Sequence, residues 1–185
     1  MAGKKTEGYE ENIEIPDKVD VTLHDRIITV KGPKGSATRK IPDLRINVKV
    51  QGKSVILSVG KDSKKEKKLI NALISHIENL MEGVQTPYIY TMKICAGHFP
   101  MNVAVTNNQL VIKNFIGEKV PRTVGIKPNT KVEVKGAEII VESVDKELAG
   151  QMASAIEQTT RRPGYDLRIF QDGIYITNKA GKPIS

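Results

Sequence analysis

Cys95 and His98, three apart, are this chain's nearest approach to a nucleophile with its base. An imidazole activates a thiol only when it reaches the sulfur and a third group orients the ring. As a metal site the pair lacks the further ligands zinc requires, because His24 and His76 fall in other elements of the other half. The plainer reading makes Cys95 a small, partly buried side chain at a strand end. Gly32-Pro-Lys-Gly35 resembles a phosphate cradle only superficially. It lacks the Lys-Ser/Thr ending and leads into a strand, whereas a phosphate loop must open a helix. Proline second and glycine fourth suit a type I turn. Asp62, Asp145, Asp166 and Asp172 show no i, i+4 pairing that would build a carboxylate site. No catalytic constellation, metal or cofactor is expected.

Charge carries more. The 185 residues hold 29 Lys and Arg against 21 Asp and Glu, a net charge of +8, which points to a polyanionic partner. Divided at Gly83, the halves carry 16 basic against 12 acidic and 13 against 9, so each contributes equally. Lys61, Lys64, Lys65, Lys67 and Lys68 crowd the start of a helix, the end whose dipole disfavours cations. They face either phosphate or solvent. Arg161, Arg162, Arg168, Lys179 and Lys182 form a second cluster. Adjacent arginines suit two-pronged phosphate contacts, and Lys179-Ala-Gly-Lys-Pro reads as a flexible tail that orders against RNA. Aromatics make up only 4% with no Trp, which argues against base stacking. No zinc-finger spacing, basic zipper or helix-turn-helix is present. Recognition of a structured RNA by shape, phosphate and sugar hydroxyls remains. The candidate contacts are Arg161, Arg162, Arg168, Lys179 and Lys182, with Lys64, Lys65 and Lys68. No apolar run is long enough to span a membrane, the N-terminus does not read as a secretory signal, and a single cysteine fits a reducing compartment.

The elements that position these residues repeat at a spacing of about eighty residues. Val21–Gly35 lies over Val103–Gly117 without a gap, each copy reading as strand, polar turn, strand and tight turn. Val48–Leu57 matches Val132–Val141, each a hairpin turning at Gly52 or Gly136. A helical period follows each second hairpin. In the first copy Leu69, Ile70, Leu73, Ile74, Ile77, Leu80 and Met81 share a face, Ser63 and Glu66 form a capping box, and Gly83 supplies a stop. In the second, Leu148, Met152, Ala155 and Ile156 make a weaker stripe ended by Pro163-Gly164. The expected fold is α+β, two tandem duplicated domains, each a small antiparallel sheet packed against one helix. Residues 12–83 form the first and 84–177 the second, with mobile tails at 1–11 and 178–185.

Ile13-Glu-Ile-Pro16, Val19-Asp-Val21 and Ile28-Thr-Val-Lys-Gly-Pro-Lys-Gly35 resemble the opening of the L-six family of large-subunit ribosomal proteins. Arg168-Ile-Phe-Gln-Asp-Gly-Ile-Tyr-Ile176 with Lys179 is similar to the C-terminal signature of its archaeal and eukaryotic branch, and the short N-terminus and charge balance favour an archaeal member. The resemblance runs from about Ile13 to Lys179. It implies a structural, non-enzymatic component of the large subunit in cytoplasmic ribosomes. Its ribosomal RNA contact would lie near the sarcin-ricin loop, beside the stalk-base proteins and the docking place of translation GTPases. Carried onto this sequence, the contacts fall on Arg168, Lys179 and Lys182, with Arg161 and Arg162 just before the signature. Phe170 and Tyr175 would anchor the segment, and Asp172-Gly173 would be a structural turn. Phe115-Ile116, which replaces Pro33-Lys34, either folds onto its own sheet or meets a neighbouring protein. Two readings compete: a free-standing structured-RNA-binding or RNA-chaperone module, and an enzyme using Cys95 and His98.

Overall fold

The computed structural model describes residues 8–41, 43, 45–61, 63–166 and 168–184. Residues 1–7 of the expected first tail, Ser185 of the last, and Asp62 lie outside the described residues. The chain divides into two compact units, Met1–Thr86 and Pro87–Ser185, just past the boundary expected at Gly83.

The first unit contains β1 (Tyr9–Glu14), β2 (Asp20–His24), β3 (Ile27–Gly32), β4 (Gly35–Lys40), β5 (Ile46–Gln51), β6 (Ser54–Val59) and the helix α1 (Lys64–Gly83). Its strands form two antiparallel three-stranded sheets, ordered β2-β3-β4 and β1-β6-β5, not the single sheet expected. A 20-residue helix is about 30 Å long, while three strands span only about 10–15 Å, so one sheet does not cover it. α1 accordingly touches β3 from one sheet and β1 and β6 from the other. Ile70, Leu73, Ile77, Leu80 and Met81 are its buried residues, with Ile28, Val55 and Leu57 fully enclosed on the strands. Each such aliphatic side chain contributes about 1.5–3 kcal/mol by leaving water.

Half of the capping box forms: Ser63 Oγ accepts from the Glu66 N–H at 3.4 Å, and the Glu66 carboxylate accepts from the Ser63 hydroxyl, where a full box would have it accept from the Ser63 backbone N–H. The helix ends differently from expectation. Val84 caps it in ordinary right-handed geometry, φ −72°, so Gly83 is not a left-handed stop. Gly32 is needed nearby. A Cβ there would lie 2.6 Å from Val84 Cγ2, and the Lys34 N–H donates to the Val84 carbonyl at 3.0 Å. The Gly32–Gly35 turn thus seats a hairpin on the end of the helix.

The second unit repeats the plan with β7 (Tyr88–Cys95), β8 (Asn102–Thr106), β9 (Gln109–Lys113), a 3-10 turn at Phe115–Gly117, β10 (Arg122–Gly125), β11 (Thr130–Lys135), β12 (Glu138–Ser143) and α2 (Lys146–Thr159). It then adds β13 (Gly173–Lys179) and β14 (Lys182–Pro183). The sheets are β8-β9-β10 and β11-β12-β7-β13-β14, so β7-β12-β11 reproduces β1-β6-β5 strand for strand. The tails expected at 1–11 and 178–185 are corrected. Tyr9, Glu10 and Glu11 pair with Val59, Ser58 and Leu57, because β6 alternates buried Val55, Leu57 and Val59 and recruits a partner strand. Asn178 and Lys179 pair with Thr91 and Tyr90, and Lys182-Pro183 folds back on them.

On α2 the buried line is Ala149, Met152, Ala153 and Ile156, while Leu148 and Ala155 stay half-buried. The helix lies close to the sheet: a Cβ on Gly150 would be 3.2 Å from the Tyr90 hydroxyl. At that close approach only glycine fits, while Met152 and Ile156 fill the core on either side of the small Ala149 and Ala153. Met92, Leu110, Ile112, Ile139, Val141 and Ile174 complete that core.

Candidate nucleic-acid interface

The segment from Thr160 to Asp172 joins α2 to β13, and neighbouring side chains fix both ends. Thr160, buried, donates its hydroxyl to the Glu157 carbonyl at 3.0 Å and accepts from the Ile174 N–H at 3.0 Å. Arg122 on β10 supplies the cation that the last turn of α2 lacks. Its Nη1 donates to the carbonyls of Thr159 at 2.6 Å and Arg161 at 3.3 Å. Its other edge grips Glu118 at 2.8 and 2.6 Å, and the guanidinium lies 4.3 Å over the Phe115 ring. That grip holds the Glu118 carboxyl below its usual range. Nothing local in the sequence singles out Arg122.

Beyond this anchor runs a stack of flat groups. The Arg162 guanidinium sits 4.1 Å over the Tyr165 ring, and Tyr165 meets Phe170 edge to face at 4.9 Å. Phe170 stacks on His98 at 4.8 Å, and His98 Nδ1 lies 2.5 Å from Asp172 Oδ2. Asp172 Oδ1 accepts from the backbone N–H groups of Gly97 at 2.7 Å and His98 at 2.9 Å. Burial alone would raise this carboxyl, but hydrogen bonds from the His98 backbone and ring and from Gly97 bring it below the usual range. His98 therefore has an aspartate partner and a stacking role. Cys95 is half-buried on β7, opposite Gly173.

The Asp172-Gly173 turn is structural, through contacts that are distant in the sequence. Asp172 bonds a loop 74 and 75 residues away. Gly173 has no left-handed backbone; it is glycine because a Cβ would come within 3.1 Å of the Tyr175 ring. Phe170 anchors the segment as anticipated. Tyr175 is 39% exposed and faces a cleft, with burial of the phenol pushing its pKa up.

That cleft, about 370 Å³, lies between the end of α2, the 160–172 segment and the 3-10 turn. Tyr165, Phe170, Tyr175 and Ile116 supply its apolar and aromatic lining; Arg161 and Arg162 supply its charge. Phe115 is buried against its own sheet, while Ile116 adopts φ 46°, ψ 41°. A β-branched residue in that region is strained, typically by about 1–3 kcal/mol. Packing of Ile116 against the core of the unit offsets that strain and leaves its side chain in the cleft lining.

The expected contacts do not all converge. Arg161 and Arg162 share the cleft, and the Arg161 side chain pairs with no described residue. Arg168, 89% exposed, is already held by Asp166 through bonds of 2.7, 3.1 and 3.2 Å, which keep the Asp166 carboxyl low. Lys179 and Lys182 are exposed and directly opposite each other across a two-residue turn, Ala180 (φ 50°) and Gly181 (φ 84°). Six steps along β13 put that turn roughly 20 Å from Gly173. Lys64, Lys65 and Lys68 are exposed on the first turn of α1 in the other unit and pair with no described residue.

A family model described as ribosomal protein L6 matches residues 15–86 and again 99–173, one match in each unit. The chain is 44% identical over 180 residues to the large ribosomal subunit protein uL6 of Nanoarchaeum equitans, covering 93% of this chain and 94% of that protein. It is 42% identical over 170 residues to uL6 of Haloarcula marismortui, covering 92% and 96%, and 44% over 168 residues to uL6 of Methanosarcina mazei, covering 91% and 96%.

Proposed function

The chain belongs to the ribosomal protein L6 family, and we propose that it binds large-subunit ribosomal RNA near the sarcin-ricin loop, chiefly through its second unit. It is an archaeal-type structural constituent of the large ribosomal subunit and not an enzyme. The observation that carries the RNA reading is the presentation of Arg161 and Arg162 on a segment pinned by Arg122 and Asp172. A pinned backbone reduces the entropy that phosphate contacts must overcome.

Lys179 and Lys182 form a second contact. Like charges held opposite each other on adjacent strands destabilise a hairpin, and a bound phosphate relieves that repulsion. Arg168 joins them by exchanging Asp166 for phosphate, since an exposed ion pair is worth only about 0–1 kcal/mol. Lys64, Lys65 and Lys68 give the first unit its own RNA contact. From this position the protein supports the region where translation GTPases dock and adjoins proteins at the stalk base.

The test is binding of the full chain to a transcript carrying the sarcin-ricin stem. With about five phosphates neutralised, log affinity falls against log salt with a slope of about −3.5 to −4.5, and probing shows protection confined to that stem and its neighbours. A slope near zero, or protection elsewhere, overturns the reading. Sedimentation of extract in moderate salt places the protein with the large subunit; a freely sedimenting pool would indicate a stand-alone RNA-binding module.

A further inference from the structure

Most of the chain's few aromatic residues are buried or scattered, but three of the eight Phe and Tyr residues fall between Tyr165 and Tyr175, and all three line the cleft. A low average thus conceals a local concentration. At about 370 Å³ the cleft falls in the range of roughly 300–1,000 Å³ typical of small-molecule sites. Asp172 is saturated by Gly97 and His98, whereas Glu157 accepts the Ile176 N–H at 3.0 Å through Oε1 and keeps Oε2 as an acceptor for a base N–H. The donors left to a ligand are the Arg161 guanidinium, the outer edge of Arg162, and the hydroxyls of Tyr165 and Tyr175, which hydrogen-bond to no described residue. Stacking on Tyr165 covers one face of Arg162 and leaves its N–H edges available. A ligand that is flat, apolar on its faces and anionic at one end complements this arrangement. Within an RNA, that is a nucleotide.

We propose that the cleft receives one unpaired nucleobase of the bound RNA against its Tyr165, Phe170 and Tyr175 lining, with the adjoining phosphate held by Arg161 and Arg162. The inference rests on the RNA-binding reading above and goes beyond it, because recognition by backbone and shape alone needs no such cleft. Ile116 then has a role that accounts for its strained backbone: it closes the apolar side of the site. An accommodated base also selects for RNA in which one nucleotide is unstacked, over a continuous duplex.

Two measurements test this. In the first, the full chain is titrated with adenosine, guanosine and uridine 5′-monophosphates while the Ile116 methyl and the Tyr165 and Tyr175 ring signals are followed by NMR. Saturable shifts at millimolar nucleotide, absent with ribose 5-phosphate and with inorganic phosphate, are expected. The same shifts with phosphate alone, or none with any nucleotide, overturn the proposal. In the second, Tyr165→Leu and Tyr175→Leu are assayed on the sarcin-ricin transcript, with Tyr165→Phe as the conservative control and thermal melts to confirm folding. Losing one stacked base lowers affinity by about fivefold to a hundredfold, and the salt slope stays unchanged because no phosphate contact is removed. Tyr165→Phe retains the affinity. If the Leu variants bind RNA as well as the parent, the base site is wrong while RNA binding stands. If they bind RNA normally but fail to enter the large subunit, the cleft takes a protein segment instead. If the parent shows no salt-dependent binding, the underlying reading fails first.

Discussion

At Asp172 a carboxylate with only 3% of its side chain exposed is satisfied by two backbone N–H groups and an imidazole. Burial opposes its ionisation, but the donors from His98 and Gly97 prevail and leave its pKa below the ordinary 3.8. A carboxyl made more acidic by folding adds stability that is fully present above its unfolded pKa and is lost as pH falls through its folded one. The protein should therefore weaken on acidification below about pH 4, and Asp172→Asn should flatten that limb. At neutral pH the same variant should cost about 1.5–3 kcal/mol, the worth of hydrogen bonds to a charged group. Urea melts between about pH 3 and pH 7 check both; an unchanged acid limb assigns the loss to other carboxylates. Neither this cluster nor the clamp of Arg122 on Thr159 and Arg161 was legible in the sequence. Their partners lie 74 and up to 39 residues apart, and no spacing rule connects them. The aromatic concentration at 165–175 was legible, but a chain-wide percentage dilutes it.

Among the elements, the β13–β14 hairpin departs most from expectation. Lys179-Ala-Gly-Lys-Pro has the composition of a tail, yet both turn residues are left-handed, which suits a two-residue hairpin turn. Ala180 tolerates its positive φ in a turn where glycine is usual, and its methyl packs on the core of the unit. The lysines on either side remain opposed. Lys182→Glu should turn that repulsion into attraction and stabilise the hairpin by about 0.2–1 kcal/mol. Slower exchange of the Ile184 amide, which donates to the Thr177 carbonyl at 2.9 Å, would report it. RNA affinity should move the opposite way, with a salt slope shallower by about one to two. Parallel loss of hairpin stability and affinity would mean that the lysine acts through folding alone. β1 is hard to see in the sequence because Tyr9–Glu14 carries only two apolar residues; on α2, Met152 and Ile156 are buried as the stripe predicts, while Ala149 and Ala153 take the places expected of Leu148 and Ala155.

For the whole molecule the duplication was readable because it is stored in contiguous stretches: Val21–Gly35 and Val103–Gly117 become β2 with β3 and β8 with β9. Division of each half into two sheets was not, since pairing between distant strands leaves no local trace. Position for position the second unit repeats the first, except that it returns from its helix to lay β13 beside β7. In the first unit, β1 pairs only with β6 among the described residues, and its Glu10, Glu11 and Glu14 discourage further pairing. β7 has Tyr88, Tyr90 and Met92 at alternate buried positions, with Lys93 as its sole formal charge. A message truncated before Gly173 would therefore yield a chain with a bare, sticky margin, prone to self-association on light scattering, whereas one ending after Ile184 would remain monodisperse. The last strands thus double as a seal: a polypeptide that reaches β13 conceals the surface on which copies of itself would otherwise nucleate.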